Sequence, residues 1–430
     1  MDFMDISRIK EFRQFKKEIR GSEQYLIVGI DIGKVKHHAF LGTANGHTVQ
    51  KGLIVENNLS GFSYLMGRVQ FHMDRAGFED VVFGLEPTSV YHKPLAEFLI
   101  EQGCLVVYAT NEAIKKNRSL LDGRWDKNDM KCSANVADLI SQGKCQYYDL
   151  PDIKFRDLRN LLLLRKRLRK QLHGSKMRIR NNLVAQYFPE FDKLWKTREE
   201  ENLAIVRWCL APAKIAAMKF EDFCCLVTTR NRGDRQQQRL FKIWDSASFS
   251  IGCFAGNGLE LEAKVLVDTV KLIQAQIVEV DGAIEAIGLQ FEEYQYLLSI
   301  PGFGPYVSAV VLAAIGNAHR FENASQILRL AGFDLCAIRS GKKSATAVPV
   351  ISKKGKADLR YAVYQAALVA SSLTTHFAGY YHNLLDGRQR EKGIRTKMRV
   401  KLAAKLLVIA WTLMKKKEAF NPDYIISLNN

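Results

Sequence analysis

Three apolar runs punctuate the first third of the chain. YLIVGIDIGK opens at Tyr25, stays apolar and β-branched, and gives out at Asp31 and Gly33; EDVVFGLE ends on Glu86; GCLVVYAT covers Gly103 to Thr110. Short apolar runs bounded by glycine or charge read as buried strands. The stretches between them, SGFSYLMGRVQFHM and KPLAEFLIEQG, carry helical spacing. Strands alternating with helices predict an α/β domain with a parallel or mixed sheet over residues 25–146, preceded by a short charged helix or arm at 1–24.

The pattern changes after that. PDIKFRDLRNLLLLRKRLRKQLHGSKMRIRNN, from Pro151 to Asn182, reads as one long helix with an apolar stripe and a strongly basic remainder. Further on, Leu266, Val270, Ile273, Ile277, Val280, Ile284 and Ile287 step by four and three, the spacing of a heptad seam. The two helices can pair with each other or across a dimer. Residues 220–258 between them look irregular, so 147–292 is a basic helical coiled-coil segment with an insertion. An α-helical C-terminal domain follows over 293–430.

Composition adds a partner. The 430 residues hold 47% hydrophobic residues, enough for packed interiors, and 63 basic against 45 acidic residues, a net +18. Such a surplus, clustered as it is here, points to nucleic acid. Eight cysteines lack any C-x-x-C spacing, which gives no support to a structural zinc site and reads as reduced thiols. No apolar run approaches membrane-spanning length, so no membrane partner is expected.

Four carboxylates stand out by position. Asp31 and Glu86 end strands, and Asp126 and Asp129, in RWDKNDMKCSANVADLI, are spaced to share a helix face. Acids gathered at one sheet edge are the oxygen donors that divalent-metal phosphodiester chemistry needs. IVGIDIGK, LEPTSVYHKP and WDKNDMKCSANVADLI together resemble the three acidic motifs of the DEDD transposases, which include the Piv-type DNA invertase and many bacterial insertion-sequence recombinases. Thr88, Tyr91 and Pro94 fit the pattern around the glutamate, whereas Trp125 and Met130 depart from the usual Thr and Ala. The resemblance implies a RuvC-like, RNase H-like N-terminal domain. It makes Asp31, Glu86, Asp126 and Asp129 ligands for one or two Mg²⁺ ions, with Mn²⁺ able to substitute.

SIPGFGPYVSAVVLAAIG has the form of a helix-hairpin-helix, with Gly302 and Gly304 placed for close approach of backbone to phosphate. The stretch that follows, RLAGFDLCAIRSGKKSATAVPVISKKGKADLR, resembles the same family's C-terminal transposase domain, with Ser340-Gly341 ahead of an I-S-K-x-G block. By that resemblance Ser340 is the nucleophile. Arg339, Lys342, Lys343, Lys353 and Lys354 then become phosphate contacts beside Arg165, Lys166, Arg167, Arg169 and Lys170 of the long helix.

Together these readings describe an insertion-sequence transposase acting on DNA through a serine-linked intermediate. Members of the family can be guided by an element-encoded structured RNA, and a homodimer or homotetramer in the cytoplasm of a bacterial or archaeal host is the matching expectation. The alternatives are a RuvC-like nuclease that uses water and an inactive nucleic-acid-binding scaffold.

Overall fold

The run from Tyr25 forms β1 (Tyr25–Asp31), and its neighbours decide where its polar end points. In the computed structural model, residues 3–121, 128–195, 199–228, 230, 233–254, 256–337, 349–373 and 375–423 are described, and the chain divides into two units, Met1–Pro151 and Asp152–Asn430. The first unit is a mixed six-stranded sheet of order β3-β2-β1-β4-β5-β6. The three expected runs are its parallel centre, β1, β4 (Asp80–Leu85) and β5 (Leu105–Tyr108). Antiparallel β2 (Lys36–Thr43) and β3 (Thr48–Glu56) extend one side, and short β6 (Gln146–Tyr147) the other. The sequence reading contained no β2–β3 hairpin: β3 is an edge strand with only Leu53 and Val55 buried, so its apolar run is short.

Period-two alternation sends side chains to two covered faces. Leu26, Val28 and Ile30 of β1 join Phe83 and Leu85 of β4 under α2 (Leu59–Ala76) and α3 (Lys93–Glu101). Ile27 and Val82 face the other way, beneath α1 (Phe3–Glu18) and, past α4 (Asn111–Leu121), α5 (Asp129–Ser141). The N-terminal segment is more than a charged arm: Phe15 of α1 and Ile19, the residue just after it, are fully buried, each such side chain contributing about 1.5–3 kcal/mol. Two register-paired glycines let α5 sit on the sheet. A Cβ on Gly29 would run into the backbone of Ser133 and Ala137, and one on Gly84, its partner across β1 and β4, into Ile140.

The second unit is helical. α6 (Ile153–Arg178) runs antiparallel to α13 (Asn257–Gly288): Phe155 meets Phe291 just beyond one end, and Arg165 meets Asp281 a few turns along. The heptad seam thus closes within the chain, with Val270, Ile273, Ile277, Val280 and Ile284 buried. A π-helical stretch, Ile179–Val184, and one helical turn, α7 (Ala185–Tyr187), lead into the insertion.

The insertion is helical, with α8 (Pro189–Leu194), α9 (Glu199–Cys209), α10 (Pro212–Ala216), α11 (Phe220–Val227) and α12 (Asp234–Ala247), the last two within the 220–258 stretch that looked irregular. Its interior is partly polar, which hid the helices. Arg239 donates to Glu201 at 2.9 Å, to the Leu194 carbonyl at 3.1 Å and to Asn202, while Gln236 donates to Glu201. All four side chains are buried, so the network must be complete to be tolerated.

Beyond α13 come α14 (Glu292–Leu298), α15 (Pro305–Ile315), α16 (Ala324–Ala331), the ribbon β7 (Leu335–Cys336) and β8 (Val350–Ile351), then α17 (Ala357–Leu373), α18 (Thr375–Leu385) and α19 (Ile394–Lys416). One apolar cluster runs from Leu158 to Met414, so helices on both sides of residue 292 share a core. Among the described residues no helix is long and apolar enough to cross a membrane.

The glycine pair gives a direct test. Gly29→Ala should destabilise the protein by about 1–3 kcal/mol, because the new methyl meets helix backbone that cannot rotate away. Gly67→Ala, in open space on α2, should stabilise by roughly 0.5–1 kcal/mol. Chemical denaturation of both variants measures the contrast.

Candidate acidic site and nucleic-acid surfaces

Register brings the first two acids together. Gly29 pairs with Gly84 and Ile30 with Leu85, and the Glu86 N–H donates to the Ile30 carbonyl at 3.1 Å, continuing the parallel ladder by one step. Asp31 and Glu86 each stand two residues beyond a glycine, so alternation aims both at the face that α5 covers. Both are half-exposed at the carboxyl ends of their strands, the edge where open α/β sheets bind ligands.

Asp129 arrives from above. Asn128, in extended backbone, caps α5 by accepting the Lys131 N–H at 2.8 Å. The helix therefore begins at Asp129; Asp126, the fourth expected acid, lies outside the described residues. One turn on, Ser133 rests on Gly29, which fixes the helix start over the strand ends.

His38 belongs to the same place, and sequence reasoning missed it. It lies directly across from Asp31 in the β1–β2 pairing, and its Nε2 is 3.2 Å from Asp129 Oδ2, an ion-pair distance without hydrogen-bond alignment. Only the hairpin register could have revealed this, because His38 and Asp129 are far apart in sequence. Next to it, His37 is fully buried against Phe62, and its Nδ1 accepts the Gly33 N–H at 3.3 Å. Burial pushes the His37 imidazole below its usual value, as that acceptor role requires. Three residues past Glu86, Ser89 holds φ +50°, a conformation that non-glycine residues adopt at sites the surroundings over-determine.

Among the described residues no three His, Cys, Asp or Glu side chains converge closely enough to form a metal-holding group. Asp31, Glu86 and Asp129 nonetheless share one edge of the sheet, and all are hard oxygen donors, the type that suits Mg²⁺.

In the C-terminal part, Ser340, Arg339, Lys342 and Lys343 lie outside the described residues. The strands on either side of that segment pair, Leu335 with Ile351 and Cys336 with Val350. Below the ribbon Ser352 donates from Oγ to Asp334 at 2.6 Å, and its N–H donates to the Asp334 carbonyl at 2.8 Å. Lys353, at φ +56°, passes so close to Gly332 that a Cβ there would collide with it. Lys353 and Lys354 are exposed. In the turn after α14, Gly302 has an internal role: at φ +94° it packs on the backbone of α17 near Ala366. Gly304, at the start of α15, faces open space.

The basic helix divides into two sets. Arg165 is held by Asp281 and lies 3.9 Å from the centre of the Tyr306 ring, and Lys166 reaches Asp358 at 2.8 Å. Arg167, Arg169 and Lys170 are exposed, with no carboxylate partner among the described residues.

A mixed sheet with acids at its central strand ends, followed by a basic helical body, is an arrangement compatible with acting on nucleic acid. Comparison with known proteins makes that specific. Residues 28–189 match a family model of DEDD transposases of the IS110 type, and residues 294–382 match one described as transposase IS116/IS110/IS902 family. The chain belongs to the DEDD transposase family, a family of DNA-acting enzymes. It is also 23% identical over 402 residues to the insertion element IS110 uncharacterized 43.6 kDa protein of Streptomyces coelicolor, covering 91% of this chain and 94% of that one.

Two outcomes follow. Replacing Arg167, Arg169 and Lys170 with Gln should reduce the salt slope of DNA binding by roughly 0.7–0.9 per lost phosphate contact. Arg165→Gln should instead lower the melting temperature, since its charge serves an internal pair. Separately, the His37 imidazole titrates lower in the folded chain than its unfolded value near 6.5, so the unfolded chain binds the extra proton. Stability should therefore be full above that value and fall as pH drops below it, with His37→Gln flattening the fall in thermal melts.

Proposed function

We propose that this transposase cuts and rejoins DNA with two sets of residues, a metal-binding acidic site on a RuvC-like domain and Ser340 as the nucleophile. The observation that carries the acidic half is the register: Asp31 and Glu86 stand side by side on the sheet face beneath the first turn of α5. The strand order β3-β2-β1-β4-β5, with an antiparallel hairpin on a parallel centre, supports the RuvC-like, RNase H-like assignment.

Asp31, Glu86, Asp129 and Asp126 would hold one or two Mg²⁺ or Mn²⁺ ions. When bound, such ions neutralise the scissile phosphate and favour ionisation of an attacking hydroxyl. His38 stands 3.2 Å from Asp129 beside the strand ends. Ser340 Oγ bonds to phosphorus and displaces a deoxyribose oxygen, which takes up a proton; the phosphoserine ester stays open to attack by a strand's hydroxyl, so rejoining is the reverse of cutting. The ribbon clamped by Ser352 and Asp334 fixes where that segment leaves and re-enters the fold. Lys353, Lys354, Gly304 and the exposed cations of α6 supply contacts to the phosphate backbone that position without reading sequence. The same cations suit a structured guide RNA, and action at two element ends suits a homodimer or homotetramer.

A suicide DNA substrate tests this. The wild-type chain should form a covalent protein–DNA adduct that survives denaturation, with peptide mass placing it on Ser340. Ser340→Ala should lose the adduct and keep DNA binding, whereas Ser344→Ala should keep both. Asp31→Ala should abolish cleavage in Mg²⁺ with binding intact. Cleavage without any serine adduct would establish the water-using nuclease instead.

A further inference from the structure

The C-terminal helices form an open cavity whose basic side lies beyond the C-terminal family match. It has a volume of about 670 Å³ and lies between the end of α17, α18 and the first turns of α19. Its size is in the range of ligand-binding pockets, and its lining is polar. Ser371 and Ser372 come from α17, Tyr381 and His382 from α18, and Arg395 and Arg399 from α19. The family match to the C-terminal part ends at residue 382, so both arginines lie beyond it.

Both arginines are positioned by packing and hydrogen bonds and not by an ion pair. Arg399 donates from Nε to Ser371 Oγ at 3.4 Å, and its guanidinium stands 5.5 Å from the centre of the Tyr381 ring. Tyr381 in turn donates its hydroxyl to the Arg395 carbonyl at 3.3 Å, which ties α18 to the start of α19. Among the described residues neither Arg395 nor Arg399 has a carboxylate partner, although Glu391 is close in sequence and pairs with Arg388. Asp386 also lines the cavity; one of its oxygens accepts the Gly387 N–H at 3.0 Å.

The surroundings share the sign. Residues 386–405 contain eight basic residues against two acidic ones, a net +6, one third of the surplus of the whole chain in 20 residues. A polar cavity with two arginines four residues apart on one helix, in a field of that sign, suits an anion with several oxygens.

The geometry points to a binding site for a nucleic-acid phosphodiester strand, with Arg395 and Arg399 on successive phosphate oxygens and Ser372 and His382 at the mouth. It rests on the chain being a transposase that holds nucleic acid, and on nothing in the acidic site or at Ser340. The ligand is a sugar–phosphate backbone, from DNA or from RNA. It is separate from the exposed cations of α6.

Fluorescence anisotropy of the full-length chain with a short DNA duplex and with an RNA stem-loop tests the site across a salt series. Arg395→Gln combined with Arg399→Gln should weaken binding to at least one of them about tenfold and reduce its log–log salt slope by roughly 1.4–1.8, the value for two lost phosphate contacts. Because Arg399 also packs on Tyr381, Ser372→Glu is the second variant. It adds a negative charge at the mouth, leaves the arginines in place and should weaken the same ligand. A loss confined to DNA assigns the cavity to a DNA strand, and a loss confined to RNA assigns it to a transcript. Unchanged affinity and slope for both ligands in both variants, against a wild-type chain that binds, overturns this site alone. A wild-type chain that binds neither ligand overturns the transposase reading with it.

Discussion

The seating of α5 on two bare strands governs the N-terminal unit. Gly29 and Gly84 pair across β1 and β4, and the helix lies where their side chains would have been. That closeness sets the height of α5 over the sheet, and the Asn128 cap sets where it starts. Asp129 is consequently delivered above the strand ends that carry Asp31 and Glu86. A larger residue at either glycine would lift the helix and move Asp129 away from the strand ends. His38, fixed in the neighbouring strand, adds a lateral contact to Asp129.

The second unit uses its charges in two ways. Arg165, Lys166 and Arg239 are engaged inside the chain, holding α6 to α13 and to α17 and tying the insertion together. Burying Arg239 with Glu201 is tolerable only because Asn202, Gln236 and the Leu194 carbonyl complete the set of partners. The exposed cations of α6 and those among residues 386–405 that have no carboxylate partner give the surface its sign. Net charge alone did not separate these roles; two adjacent basic residues of one helix, Lys166 and Arg167, differ in that one meets an aspartate and the other does not.

Much was legible in the residues themselves. The three apolar runs became the parallel strands because short runs rich in β-branched residues suit a sheet covered on both faces. The heptad steps became the buried seam of α13 for a similarly local reason, since spacing along a helix fixes which residues share a face. The acids at Asp31 and Glu86 were visible as polar ends of apolar strands. What stayed hidden depended on register and on contacts between distant segments. The role of Gly29 and Gly84 needed β1 and β4 aligned; His38 needed β2 paired to β1; and Asp334 needed Ser352 brought back by the ribbon. Helices of the insertion were masked because their buried faces are partly polar, and a polar residue is acceptable inside only when its partners, far away in sequence, are in place. Periodicity determined the central strands and the long helices, and the tertiary structure alone decided which of their side chains meet.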